Sequence, residues 1–171
     1  MKLNTLLLSG FLMMASFVQA QTCVSGIGET APQTNFTDNE DGTVTDNTTG
    51  LIWMRCSLGQ TWSDSSNTCT GDATAMTWQE ALQATYGYEF AGANDWRLPN
   101  IKQLLSITEK SCVRPSINED IFPETTSDDY WTSTPSLTDY SMAWVVAFFN
   151  SSNSLKEKDA FIYVRPVRVA D

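Results

Sequence analysis

The side chains of this chain that could do chemistry are carboxylates, arginines, cysteines and tryptophans, because its 171 residues include no histidine. Without imidazole, the Ser-His-Asp and Cys-His triads, His-held metals and His-based proton transfer are excluded. Carboxylates remain. Asp128 and Asp129 with Asp139, or Glu157 with Asp159, could serve a carbohydrate hydrolase, which needs two carboxyls at a fixed separation across a cleft. Spacing along a loop does not establish that separation, so solvated faces are the simpler reading and no catalytic residue is assigned. Asp38, Asp41 and Asp46 could instead hold calcium. An EF-hand register begun at Asp38 brings Gly42 one place early and puts Thr49 where the bidentate Glu belongs, leaving only a non-EF site. Hairpin turns with solvated carboxylates are the preferred reading there, and no cofactor is expected.

The chain has six tryptophans, a residue type that commonly stacks on sugars. Trp53, Trp78, Trp96 and Trp144 fall in patterned elements and read as core. Trp62 lies in a polar loop bounded by cysteines, and Trp131 follows Asp128-Asp129-Tyr130. These two have the better chance of reaching solvent, so the ligand-binding candidates are Trp62, Asp128, Asp129, Trp131 and Asn150. Arg55, Arg97, Arg165 and Arg168 stand amid excess carboxylate and read as structural ion pairs.

Charge and export signals narrow the setting. With 20 acidic against 10 basic side chains, the formal charge of −10 argues against nucleic-acid binding, which needs a basic face. A basic start at Lys2, an apolar run from Leu6 to Val18 and the Val18-Gln19-Ala20 ending predict a signal peptide over residues 1–20. Its removal takes away only Lys2, leaving 151 residues at −11, with no later stretch apolar enough to span a bilayer. Four cysteines in an oxidising compartment suggest two disulfides. The polar segment between Cys56 and Cys69 favours that pair, and elimination leaves Cys23 with Cys112, tying an N-terminal strap to the body.

These groups must be positioned by a strap over 21–35 and one domain over 36–171. Asp41-Gly42 and Asn47-Thr48-Thr49-Gly50 are turns around short strands that end in Leu51-Ile52-Trp53-Met54. Residues 57–75 read as a stapled loop. Thr77 with Glu80 predicts a capping box and a helix over about 78–86; Asn100 with Gln103 opens a second helix running to about Glu109. Tyr130 to Thr134, Ala143 to Phe149 and Phe161 to Val169 read as strands, with Asn150 to Asp159 as a polar hairpin loop. The order of strands, two helices and strands predicts an α+β fold with an antiparallel sheet.

Several ordered words carry a family resemblance: Asp41-Gly42-Thr43-Val44-Thr45-Asp46, Thr49-Gly50-Leu51-Ile52-Trp53, Arg55-Cys56-Ser57-Leu58-Gly59-Gln60-Thr61-Trp62, Thr77-Trp78-Gln79-Glu80-Ala81 and Asp95-Trp96-Arg97-Leu98-Pro99-Asn100-Ile101-Lys102-Gln103-Leu104. Tyr130-Trp131-Thr132-Ser133, Ala143-Trp144 and Tyr163-Val164-Arg165-Pro166-Val167-Arg168 complete the series. The chain resembles the DUF1566, or Lcl C-terminal domain, family over about residues 36–169. The resemblance implies a C-type-lectin-like fold, an antiparallel sheet with two flanking helices, in a bacterial envelope protein exported to the periplasm or cell exterior. It also implies a non-catalytic adhesin-type domain that binds a glycan or an envelope protein. The family's collagen-like adhesin member binds sulfated glycans. This chain has no Gly-X-Y stalk, and its −11 mature charge disfavours such a polyanion. A structural subunit of a surface or pilus-like assembly, as a homo-oligomer, is the alternative.

Overall fold

The computed structural model describes residues 20–170, so the predicted signal peptide lies outside the described residues apart from Ala20. In chain order, β1 (Thr22–Cys23), β2 (Phe36–Asp38), β3 (Thr43–Asp46), β4 (Leu51–Met54), β5 (Thr61–Ser63) and β6 (Thr68–Thr70) come first. Two helices follow, α1 (Trp78–Thr85) and α2 (Ile101–Ser106). Then come β7 (Cys112–Val113), β8 (Asp129–Pro135), β9 (Met142–Ala147), β10 (Ser152–Glu157) and β11 (Val167–Val169). The fold is mixed α+β, and every paired strand is antiparallel to its neighbour.

A four-stranded sheet runs β11-β4-β3-β2 and a three-stranded sheet runs β10-β9-β8. Strand alternation sends side chains to two cores. Opposite one another in register, Val44, Trp53 and Val167 form a fully buried row on one face of the first sheet. Met54 leaves the other face for the second core. The second sheet divides likewise: Tyr130, Val146 and Phe148 enter the first core, while Trp131, Ala143 and Val145 enter the second. Cover on both faces explains why residues 143–148 are apolar throughout, while Phe149 beyond them is exposed.

Both capping boxes form. Thr77 and Glu80 exchange hydrogen bonds at the start of α1, as do Asn100 and Gln103 at the start of α2. An eight-residue helix is marginal in isolation, and α1 is held to the sheet by the Trp78 indole donating to Thr132 O at 2.8 Å. The second helix stops at Ser106, short of Glu109. Beyond it, Thr108 bridges Ile117 and the Glu109 amide donates to Ser116 O, so the backbone leaves the helix to pair elsewhere.

Two loop expectations are corrected. Residues 57–75 contain the β5–β6 hairpin, and residues 150–159 are mainly strand β10, paired along its length with β9. Neither shows a burial pattern, because β10 sits at a sheet edge and β5–β6 stands alone.

Cys23 is bonded to Cys112 and Cys56 to Cys69. Closing loops of these sizes stabilises by about 4–5 and about 3 kcal/mol respectively in the chain-entropy account. The bonds point to an oxidising, non-cytoplasmic compartment. Among the described residues no helix is long and apolar enough to cross a membrane. The strap is held further by Glu109, 3 % exposed, whose carboxylate accepts from the Thr30, Ala31 and Ser111 amides and the Ser111 hydroxyl. Burial alone would raise its pKa, but hydrogen bonds from the Ser111 side chain and the Ala31, Ser111 and Thr30 amides together hold it below the ordinary range.

Candidate functional site: an aromatic cleft around Trp62

The cleft starts from the Cys56–Cys69 staple. Trp62 stands opposite Cys69 in the β5–β6 register, so the bonded hairpin fixes where the indole leaves the chain. Its N–H donates to Asp64 Oδ1 at 2.7 Å, and the Arg55 guanidinium carbon lies 4.2 Å from its ring centroid. That stack is a cation–π contact. Arg55 is itself immobilised: Nε donates to Ile121 O, Nη1 to Asp38 Oδ2 and Asn67 Oδ1, and Nη2 to Asp120 O. Burial lowers its pKa, with Asp38 opposing the shift.

Gly42 makes room for this arrangement. Its φ is +83°, and a Cβ there would lie 2.7 Å from Trp62 Cγ and 3.0 Å from Phe90 Cζ. Phe90 meets Trp96 edge-on at 6.2 Å between centroids, and the Trp96 indole donates to Phe90 O at 3.1 Å. The result is a cavity of about 350 Å³ lined by Asp41, Gln60, Trp62, Asp64, Tyr88 and Phe90, among others. Asp41 Oδ1 accepts from the Thr43 amide and hydroxyl, and Gln60 is tied between the Ser57 amide and Glu124 O.

Arg165 braces the corner that the cleft rests on. Fully buried, it donates through Nη1 to Met54 O and Arg55 O, and through Nη2 to Thr125 Oγ1 at 2.7 Å and Ser57 Oγ at 3.3 Å. Its guanidinium also lies over the Phe122 and Tyr130 rings. Desolvation lowers its pKa to about 10. Ion pairing fits Arg55 with Asp38 and Arg168 with Asp95. For Arg165 and Arg97 that expectation is corrected: neutral carbonyls and hydroxyls hold Arg165, and Arg97 Nη1 donates to Gln103 Oε1 and Leu98 O.

The other candidates are dispersed. Trp131 is corrected from a solvent-facing residue to a core residue: it is fully buried, and its indole donates to Met76 O at 2.9 Å. Asp128 and Asp129 line a separate groove of about 250 Å³ with Lys156, Phe161 and Tyr163. Asp129 forms a 2.8 Å ion pair with Lys156, whose pKa is raised by that hydrogen bond and by the charge of Asp129. Asn150 shapes the β9–β10 turn, its Oδ1 accepting from the Ser152 amide. Of the expected core tryptophans, Trp53 and Trp96 are buried while Trp78 and Trp144 are only partly so.

The three calcium candidates serve separate tasks. Asp38 pairs with Arg55, Asp41 holds Thr43, and Asp46 holds the Thr48 amide with the Thr48 and Thr49 hydroxyls. Asp46 is 1 % exposed, which corrects the solvated reading for that residue. Among the described residues, no three His, Cys, Asp or Glu side chains are grouped to hold a metal ion.

Residues 42–168 match the Lcl C-terminal domain. The chain belongs to the Lcl C-terminal domain family. A search of curated proteins finds no match. In this Lcl C-terminal domain the match begins at Gly42, so the cleft residues named above fall within it, Asp41 alone lying one residue outside. The sequence signal for Tyr88 and Phe90 is the aromatic alternation Tyr86-Gly87-Tyr88-Glu89-Phe90, with Gly87 and Gly92 on either side of Tyr88 and Phe90. Asp64 carried none beyond its place two residues after Trp62.

Proposed function

We propose that the protein is an exported, non-catalytic binding domain with a C-type-lectin-like fold, and that it takes a glycan in the Trp62 cleft. The observation that carries this reading is the fixed indole. Trp62 is held by Arg55 on its ring and by Asp64 at its N–H, in a cleft it shares with Tyr88 and Phe90. Pre-organised aromatic surface lowers the ordering cost of binding, and the neighbouring carboxylates can accept hydroxyl donors. The bacterial periplasm or cell exterior is the setting proposed, in keeping with the disulfides.

A glycan array and a pull-down from envelope proteins, each with calcium and with chelator, test the reading. Saturable glycan binding that falls at least tenfold in Trp62→Ala, with the fold retained, is expected. Natively folded protein with no saturable glycan would overturn it.

A second reading, a subunit of a surface assembly, is favoured by a different observation. Leu137 and Tyr140 are 91 % and 87 % exposed in the turn joining β8 to β9. Light scattering at high concentration should then detect a homo-oligomer that Leu137→Ser or Tyr140→Ser dissociates. A monomer would count against it.

A further inference from the structure

Resting on the glycan reading of the Trp62 cleft, we infer that its ligand is an amine-bearing sugar, a cationic glycan rather than a sulfated one. The argument is electrostatic. No lysine or arginine lines the cleft. The cation stacked on Trp62, Arg55, has a side chain only 3 % exposed, one face under the indole, and four hydrogen bonds to Ile121 O, Asp38, Asn67 and Asp120 O. It has no accessible fork to offer a sulfate, although such forks are what planar anion recognition uses.

The charges that do face the cleft are carboxylates. Asp64 uses Oδ1 for the indole N–H, and Asp41 uses Oδ1 for Thr43. Both side chains are exposed and neither is in an ion pair with a lysine or arginine among the described residues. Each therefore presents, at the rim of an aromatic cavity, a carboxylate that no lysine or arginine pairs with among the described residues. Aromatic rings beside anionic oxygens suit an ammonium carried on an otherwise apolar sugar face. The chain's formal charge of −10 adds long-range attraction for cations and repulsion of polyanions.

Titrating the folded, disulfide-bonded protein with three probes tests this: a β-1,4-linked glucosamine oligomer, its N-acetylated counterpart of equal length, and a sulfated oligosaccharide. Acetylation removes the charge and leaves the ring faces. At a pH where the amine is protonated, the glucosamine oligomer is expected to bind at least tenfold more tightly than the acetylated form, with no saturable binding of the sulfated one. Raising salt, or raising pH through the amine's own titration, should erase that preference. Asp64→Asn keeps an amide oxygen for the Trp62 indole and removes the charge. With Asp41→Asn it should cut glucosamine affinity about tenfold while leaving affinity for the acetylated form unchanged. Equal binding of both forms, or a preference for the sulfated probe, would overturn the cationic assignment and leave the glycan site standing. Failure of all three, with Trp62 unperturbed in a native protein, would overturn the glycan reading and this inference with it.

Discussion

The Trp62 cleft and the Asp128–Asp129 groove both place carboxylates beside aromatic rings, and they differ in what those carboxylates face. In the groove, Asp129 meets the Lys156 ammonium at 2.8 Å, so the chain's own cation answers the charge. In the cleft, Asp64 meets a neutral indole N–H and orients the ring, with no side-chain cation paired to it among the described residues. The tryptophans differ in the same sense. Trp131, next in sequence to the groove, is sealed in the second core, whereas Trp62 is only partly buried and lines a cavity. An acidic, aromatic stretch of sequence does not by itself make a site. A site needs a ring held in place from behind and a charge left unanswered in front.

Four experiments can break or sharpen that contrast. Trp131→Ala empties a fully buried position and should cost about 3–5 kcal/mol in chemical denaturation, whereas Trp62→Ala should cost well under half of that and lose ligand binding instead. Equal costs would erase the distinction between core and cleft. Gly42→Ala comes next. It introduces a Cβ against Trp62 at a residue with φ +83° and should destabilise by about 1–3 kcal/mol. The Trp62 indole N–H resonance should shift with it; an unaltered resonance would show that the ring is not tightly seated.

Glu109 tests whether the cleft is independent of the strap. Its pKa is depressed in the folded state, so the folded form binds this proton less readily than the unfolded chain. Its stabilisation is present above the ordinary value of 4.5 and is lost as pH falls through the lower folded value. Amide protection factors at Thr30 and Ala31, referred to the intrinsic exchange rate at each pH, should therefore fall below about pH 4.5 while the Trp62 indole N–H resonance holds. Glu109→Gln should reproduce the strap loosening at neutral pH, costing about 1–3 kcal/mol. Co-variation of Trp62 with the strap would contradict the separation. The smallest effect belongs to Lys156→Gln. A surface pair is worth about 0–1 kcal/mol, so stability should barely move, while the groove should gain weak affinity for small cations through Asp129.

Much of the scaffold was legible because its signals are local. The two capping boxes, the buried Leu51–Met54 strand and the apolar run at 143–149 each announce themselves within a few residues. Strand β10 was missed because its Ser-Asn-Ser start, on an exposed edge, lacks the apolar alternation that burial would impose. Trp131 was misplaced because three polar or hydroxylic neighbours outweighed strand parity, and parity cannot tell which face is covered when both are. The partial exposure of Trp62 could be read from its polar loop. The cleft could not, since it joins residues 41–42, 60–64 and 88–90 through Arg55, whose partners come from residues 38, 67, 120 and 121. Arg165 was unreadable for a related reason: backbone carbonyls and distant, uncharged hydroxyls hold it, and neither leaves a charge pattern in the sequence.

The most direct test of the central claim uses the six tryptophan indoles as reporters. In a ¹H–¹⁵N spectrum of the labelled protein, each gives an N–H resonance that can be followed as a glucosamine oligomer is added. The Trp62 resonance should shift progressively to saturation, with those of Trp53 and Trp131 unmoved. Saturable shifts that spare Trp62 and fall on Trp78 or Trp131 would contradict the placement of the site in this cleft.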